Sequence, residues 1–62
     1  MSKISVEQIE EIFDEGLEIL ISRHPLVENL VIVRTQKPSG VLVDNEVGRD
    51  IGDAINELHT RL

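Results

Sequence analysis

Apolar side chains recur three and four positions apart along the first third of the chain: Ile9, Ile12, Phe13, Leu17 and Leu20, with Gly16 in the same stripe. That period is the mark of an amphipathic helix. It predicts one running to about Arg23, with Val6, Ile19 and Ile21 broadening the apolar face. Its start is written into Ile4–Ser5–Val6–Glu7–Gln8–Ile9. Ser5 can cap, Gln8 can bond back, and Ile4 and Ile9 stand where a hydrophobic staple needs them. Arg23 and His24 then suit the negative end of the helix dipole. Pro25 disfavours helix at His24 and ends the element.

The pattern changes after that. Leu30 to Val33 is a continuous, mostly β-branched run and reads as a strand. "QKPSG" is turn chemistry, with Pro38 suited to the second turn position and Gly40 to the fourth. Val41 to Val43 is a short second strand, and so short a connection makes the pair an antiparallel hairpin. Asp44 or Asn45 can cap a last helix with Glu46 in its first turn. Val47, Ile51, Ala54, Ile55, Leu58 and Leu62 give that helix its stripe. The expected fold is a small α+β domain over residues 1–62, in the order α-β-β-α. Two helices pack on a two-stranded antiparallel hairpin as two layers.

Neither predicted strand alternates apolar with polar. Val31 and Val33 point one way, Leu30 and Ile32 the other, and Val41–Leu42–Val43 repeats the pattern. A hairpin with one wet face would alternate. Two helices cover one face, so the other must be covered or the sheet extended by a second copy. The first expectation is a homodimer, since an isologous dimer is the commonest closed assembly. Length strengthens this. A chain of 62 residues buries only about 60% of its unfolded surface, and without cysteine it has no disulfide to help. Self-association is the remaining staple.

Three glycines sit in the predicted helices: Gly16, Gly48 and Gly52. Each costs about 1 kcal/mol against alanine in a helix interior. The spacing of Gly48 and Gly52 would let another backbone approach closely, by analogy with small-xxx-small contacts. Gly16, Gly48, Gly52, Val31, Val33 and Leu42 are therefore the candidate close-packing or oligomer contacts. "GRDIG" has the wrong spacing for a dinucleotide loop.

The net charge of −6 argues against direct nucleic-acid binding, which needs clustered Lys and Arg. Phe13 is the sole aromatic, so there is no base-stacking platform either. The acidic residues group instead: Glu7, Glu11, Asp14 and Glu18 along the first helix, and Asp50, Asp53 and Glu57 along the last. The plain reading is a solvated face that keeps an apolar oligomer soluble. The functional reading is a docking face for a basic protein, where charge sets association rate and specificity. "VRTQKPSG" is the one basic patch, with Arg34 and Lys37 at the hairpin tip.

Catalysis is not signalled. A di-iron bundle would need Glu-x-x-His on facing helices, and the sequence has none. Ser5 and Ser39 serve as cap and turn, and there is no Cys nucleophile. No cofactor or metal is expected. No apolar run approaches the roughly 18 residues of a membrane span, and the N-terminus turns acidic too early for a signal peptide. The sequence therefore reads as a cytoplasmic, non-enzymatic acidic interaction module, an adaptor, regulator or inhibitor that acts as a homo-oligomer. Two alternatives stand beside it. One is a nucleic-acid mimic that inhibits a DNA- or RNA-binding protein. The other is an enzyme or ligand-binding protein with its site between subunits.

Overall fold

The computed structural model describes residues 6–62. Helix α1 spans Val6–Asp14, followed by strands β1 (Glu18–Arg23), β2 (Val31–Gln36) and β3 (Leu42–Gly48), and helix α2 (Ile51–Thr60). The α+β class holds, but the sheet has three strands, not two. They form an antiparallel meander in the order β1-β2-β3. The proposed Ile4–Ser5 cap lies outside the described residues.

Gly16 makes the difference. The long first helix expected to Arg23 ends at Asp14. Its last turn tightens: the Glu15 N–H reaches the carbonyls of Glu11 and Ile12, and the Gly16 N–H donates to Phe13 O at 2.9 Å. Gly16 itself adopts φ +80°, a left-handed conformation natural to glycine at the residue after a helix. The chain then turns into Glu18–Arg23, which pairs with β2. Leu17 and Leu20 kept helical spacing, yet Ile19–Leu20–Ile21 is also a short apolar run of the kind a strand uses. Periodicity alone does not separate the two. The central position of β2 decided it, because a strand apolar on both faces is best placed between two neighbours.

The second correction lies at β3. It runs through Asp44, Asn45 and Glu46 to Gly48, where helix was expected. The cap of α2 is instead Asp50, whose Oδ1 accepts from the Asp53 N–H at 2.8 Å. The turn between β2 and β3 matches the sequence reading: Gly40 N–H donates to Lys37 O at 2.8 Å, placing Pro38 second and Gly40 fourth. A register shift follows at Thr35/Gln36, where Asp44 faces Thr35 but Leu42 faces Gln36. Val43 is the extra residue.

Both helices lie on one side of the sheet. Ile12 of α1, Val33 of β2 and Ala54, Ile55 and Leu58 of α2 form the core, with Ile9, Leu17, Ile19 and Ile51 packed around it. Odd-numbered positions of β1 and β2 and, beyond the extra residue Val43, the even-numbered positions of β3 face the helices, as the pairing of Ile19 with Thr35 and of Val33 with Glu46 requires. The opposite face carries Leu20, Ile32, Val47 and Leu42 around Arg34. Leu20 is 43% and Val47 47% exposed. Among the described residues no helix is long and apolar enough to cross a membrane.

Ile12 is fully buried whereas Leu26 is 89% exposed, and the two should respond oppositely to truncation. Ile12→Ala should cost about 2–5 kcal/mol, comparable to the whole stability of a domain this small, at roughly 0.05–0.15 kcal/mol per residue. Leu26→Ala should stay within about 0.5 kcal/mol. Urea denaturation followed by circular dichroism measures both. Gly16→Ala should destabilise, because its positive φ costs an L-residue about 1–2 kcal/mol. If Gly16→Ala instead stabilised, Gly16 would not be the helix stop.

Candidate functional site

The two helices lie side by side and are clasped through polar groups. Gln8 Nε2 donates to Asn56 Oδ1 at 2.9 Å. One turn further along, His59 Nε2 is paired with the Glu11 carboxylate. These contacts settle which sides of the helices turn toward each other. Glu7, Glu10 and Asp14 of α1 and Asp53 and Glu57 of α2 remain exposed on the helix layer. Neither Val6–Asp14 nor Ile51–Thr60 contains a lysine or arginine. Arg23, Arg34, Lys37 and Arg49 all belong to strands, turns or loops. Among the described residues the lysines and arginines therefore lie outside the two helices, while carboxylates stand both on the helices and off them, at Glu18, Glu28, Asp44, Glu46 and Asp50.

The expected acidic face divides accordingly. Glu7, Glu11 and Asp14 stay together on α1, with Glu11 held by His59. Glu18 leaves the group. It opens β1 on the far face of the sheet, where its Oε1 accepts from Gln36 Nε2 at 3.0 Å. Asp50 is occupied as the cap of α2. A hollow of about 590 Å³ opens at the end of the clasp, lined by Glu11, Asp14, Glu15, His59 and Leu62. The place of Glu15 beside α2 depends on where α1 stops.

Arg61 makes a second charged cluster. Its Nε donates to Asp44 Oδ2 at 2.8 Å, its Nη1 to Glu46 Oε2 at 3.4 Å, and its Nη2 to the Asn45 carbonyl at 3.0 Å. The side-chain hydrogen bond from Arg61 holds the Asp44 carboxyl below its ordinary value, despite the opposing effect of burial. The guanidinium is raised in turn by the same bond. The pair is solvent-exposed, so its contribution to stability is small. Its structural effect is local: α2 is tied down along the outer edge of β3.

The glycines are used in three different ways. Gly16 is a helix stop, and a Cβ built there meets nothing within 4 Å, so no helix packs against it. Gly48 ends β3, where a Cβ would lie 3.3 Å from Asp50 O and 3.5 Å from Ala54 Cβ. That is a close approach, between the end of β3 and the start of α2. Gly52 is buried in the first turn of α2. Val33 is fully buried among the helices and so is a core residue, not a surface for a second copy. Val31 is half-buried on the same face, and Leu42 is exposed on the opposite one.

At the β1–β2 connection, His24 Nδ1 accepts the N–H groups of Leu26 and Val27, each at 3.1 Å. His24 therefore shapes a loop and not a helix end. Asn29, with φ +66°, turns the chain back into β2. Among the described residues no group of three or more His, Cys, Asp or Glu side chains is placed to hold a metal. Comparisons with protein families, with curated proteins and with solved structures find no match to this chain.

The Asp44–Arg61 bond has a pH signature. A carboxyl whose folded value is lowered adds stability above its ordinary value of 3.8, and this is lost as pH falls through the folded value. Carbon-detected NMR titration should show Asp44 titrating below 3.8 in the folded protein. In Arg61→Gln the midpoint should move up toward that value, and the stability lost on acidification near it should shrink.

Proposed function

We propose that this protein is a non-enzymatic interaction module, an adaptor, regulator or inhibitor, that works as a homo-oligomer in the cytoplasm and docks a basic protein partner on its helix layer. The observation that carries this reading is the charge of the helix layer. Two adjacent helices present Glu7, Glu10, Asp14, Asp53 and Glu57 with no lysine or arginine between them. Like charges at i,i+4 cost a helix a few tenths of a kcal/mol per pair, and α1 accepts this for Glu10 and Asp14. Such a surface attracts a cationic partner at long range and rejects an acidic one. The hollow beside Glu11, Asp14 and Glu15 gives one lysine or arginine of that partner a place to insert.

Apolar strand surface supports the oligomer part of the reading. Leu20, Val47 and Leu42 stand exposed on the sheet face away from the helices, in a chain with little core of its own. The acidic layer and the apolar sheet are on opposite sides, so assembly through the sheet leaves the helices free to dock.

The test uses Glu7, Glu10 and Asp14, exposed carboxylates that the described contacts do not commit to the fold. Changing all three to Gln should leave circular dichroism unchanged and remove the basic proteins retained from a lysate of the native host. Retention by the wild type should also fall steeply with added salt. An unchanged partner set with the Gln variant reduces the helix layer to a solvated surface. If the retained proteins all handle DNA or RNA, and nucleic acid displaces them, the chain is a nucleic-acid mimic.

A further inference from the structure

We infer that the second copy binds along the free edge of β1, joining two three-stranded sheets into one antiparallel sheet of six strands across a two-fold axis at Leu20. This deepens the oligomer part of the proposed function and does not depend on the basic partner.

The argument begins with where the strand's backbone groups point. His24 N–H donates to Leu30 O, so the even-numbered residues of β1 bond to β2 in the alternating pattern of an antiparallel ladder. The N–H and C=O groups of Ile19, Ile21 and Arg23 therefore point outward, away from β2. β1 is an edge strand, and such a row of backbone groups is a template for another strand. The side chains beside it are apolar. Leu20 is 43% and Ile21 49% exposed. Ile21 lies on the helix side of the sheet, opposite Val33, yet the helices leave it half uncovered.

The other edge is built differently. Arg61 occupies the outward carbonyl of Asn45 and bonds Asp44 and Glu46. Pairing β3 with its own copy would bring Asp44 or Glu46 against another carboxylate in any central register, and directly opposed like charges destabilise a ladder. Pairing β1 with β3 of another copy is heterologous and gives a ring or an open filament, not a two-fold dimer. Self-pairing of β1 is the arrangement that closes with two chains and opposes no like charges.

Its register follows from the side chains. A two-fold axis normal to the sheet pairs residues on the same face. With the axis at Leu20, Ile19 lies opposite Ile21 of the second copy, and their outward N–H and C=O groups exchange four hydrogen bonds. Leu20 meets Leu20 of the second copy on the open face, and Glu18 meets Ser22. With the axis at Ile21 instead, Ile19 would face arginine and Leu20 would face serine. The Leu20 register is the one that pairs every apolar residue of the strand with another. The six-stranded sheet then ends on both sides in β3, the edge that Arg61 guards.

Cysteine cross-linking tests it cleanly, because the chain has no cysteine of its own. Residues opposed in a non-hydrogen-bonded antiparallel pair have Cα atoms about 4.5 Å apart, within disulfide reach. Leu20→Cys should oxidise to a covalent dimer. Ile21→Cys should not, since its counterpart lies on a diagonal at about 7–8 Å. By sedimentation equilibrium at micromolar concentration the wild type should have twice the 7.0 kDa chain mass. Ile21→Pro, which removes an outward N–H that β2 does not use, should halve that mass with an unchanged circular dichroism spectrum. A single-chain mass for the wild type overturns the inference together with the oligomer reading. A dimeric wild type whose Leu20→Cys form stays uncrosslinked, and which Ile32→Lys separates, packs face to face: the oligomer stands and the β1 edge does not. Cross-linking through Ile21→Cys instead of Leu20→Cys overturns the register.

Discussion

A sheet has two faces, and this chain has helices for only one of them. Everything else in the structure answers to that constraint. Val33 sits at the centre of the covered face, fully buried against Ile12, Ala54, Ile55 and Leu58. One residue along, Ile32 faces the other way, in a strand apolar on both sides. Residues that could have made a longer first helix make β1 instead, which gives β2 a neighbour on each side. A third helix would have closed the open face; a third strand widens it. The fold thus satisfies the backbone of its central strand at the cost of leaving Leu20, Val47 and Leu42 in water.

Charge is laid out around this asymmetry. The helices face solvent with carboxylates, and the polar contacts that clasp them, Gln8 with Asn56 and Glu11 with His59, use one residue of each kind at successive turns. The open sheet face carries Arg34 amid its apolar side chains, and Arg61, at the end of α2, bonds the carboxylates of β3. A molecule arranged this way has two distinct surfaces, one polar and negative, one apolar with a backbone edge. Electrostatics at the first acts at long range and is screened by salt. Hydrophobic contact and strand pairing at the second act at short range and are not.

Much of this was legible in the residues, and the failures have identifiable causes. The start of the apolar stripe at Ile9 and Ile12, the strand at Val31, the turn at Lys37–Gly40 and the stripe of Ala54, Ile55 and Leu58 all sit where their spacing puts them. The boundaries went wrong at glycines. Gly16 fits a helical stripe by position but stops the helix by conformation, and the two roles are indistinguishable until the following residues find a strand to pair with. Gly48 likewise read as helical because Val47 and Ile51 are four apart, although Val47 is a strand residue on the open face. Asp50 is visible as a carboxylate but not as a cap, since a cap is defined by a helix start, and the spacing puts that start five or six residues early, at Asp44 or Asn45. The acidic surface suffered from the same error: Glu18 shares helical spacing with Asp14, and a single turn of chain at Gly16 carries it to the opposite side of the molecule. Separating close-packing glycines from conformational ones needed the backbone angles themselves.

The clasp between the helices has an entropic consequence. Every described strand pairs with its neighbour in sequence, so the sheet is assembled through short loops that cost little closure entropy. The Gln8–Asn56 and Glu11–His59 contacts each span 48 residues, and a loop of that size carries the larger closure entropy. The closure entropy is therefore unevenly distributed: it is small for each hairpin and largest for the docking of α1 on α2. Because Ile12 of α1 is fully buried in the core, the contacts that hold α1 on α2 also keep that core covered, and release of α1 would bare it.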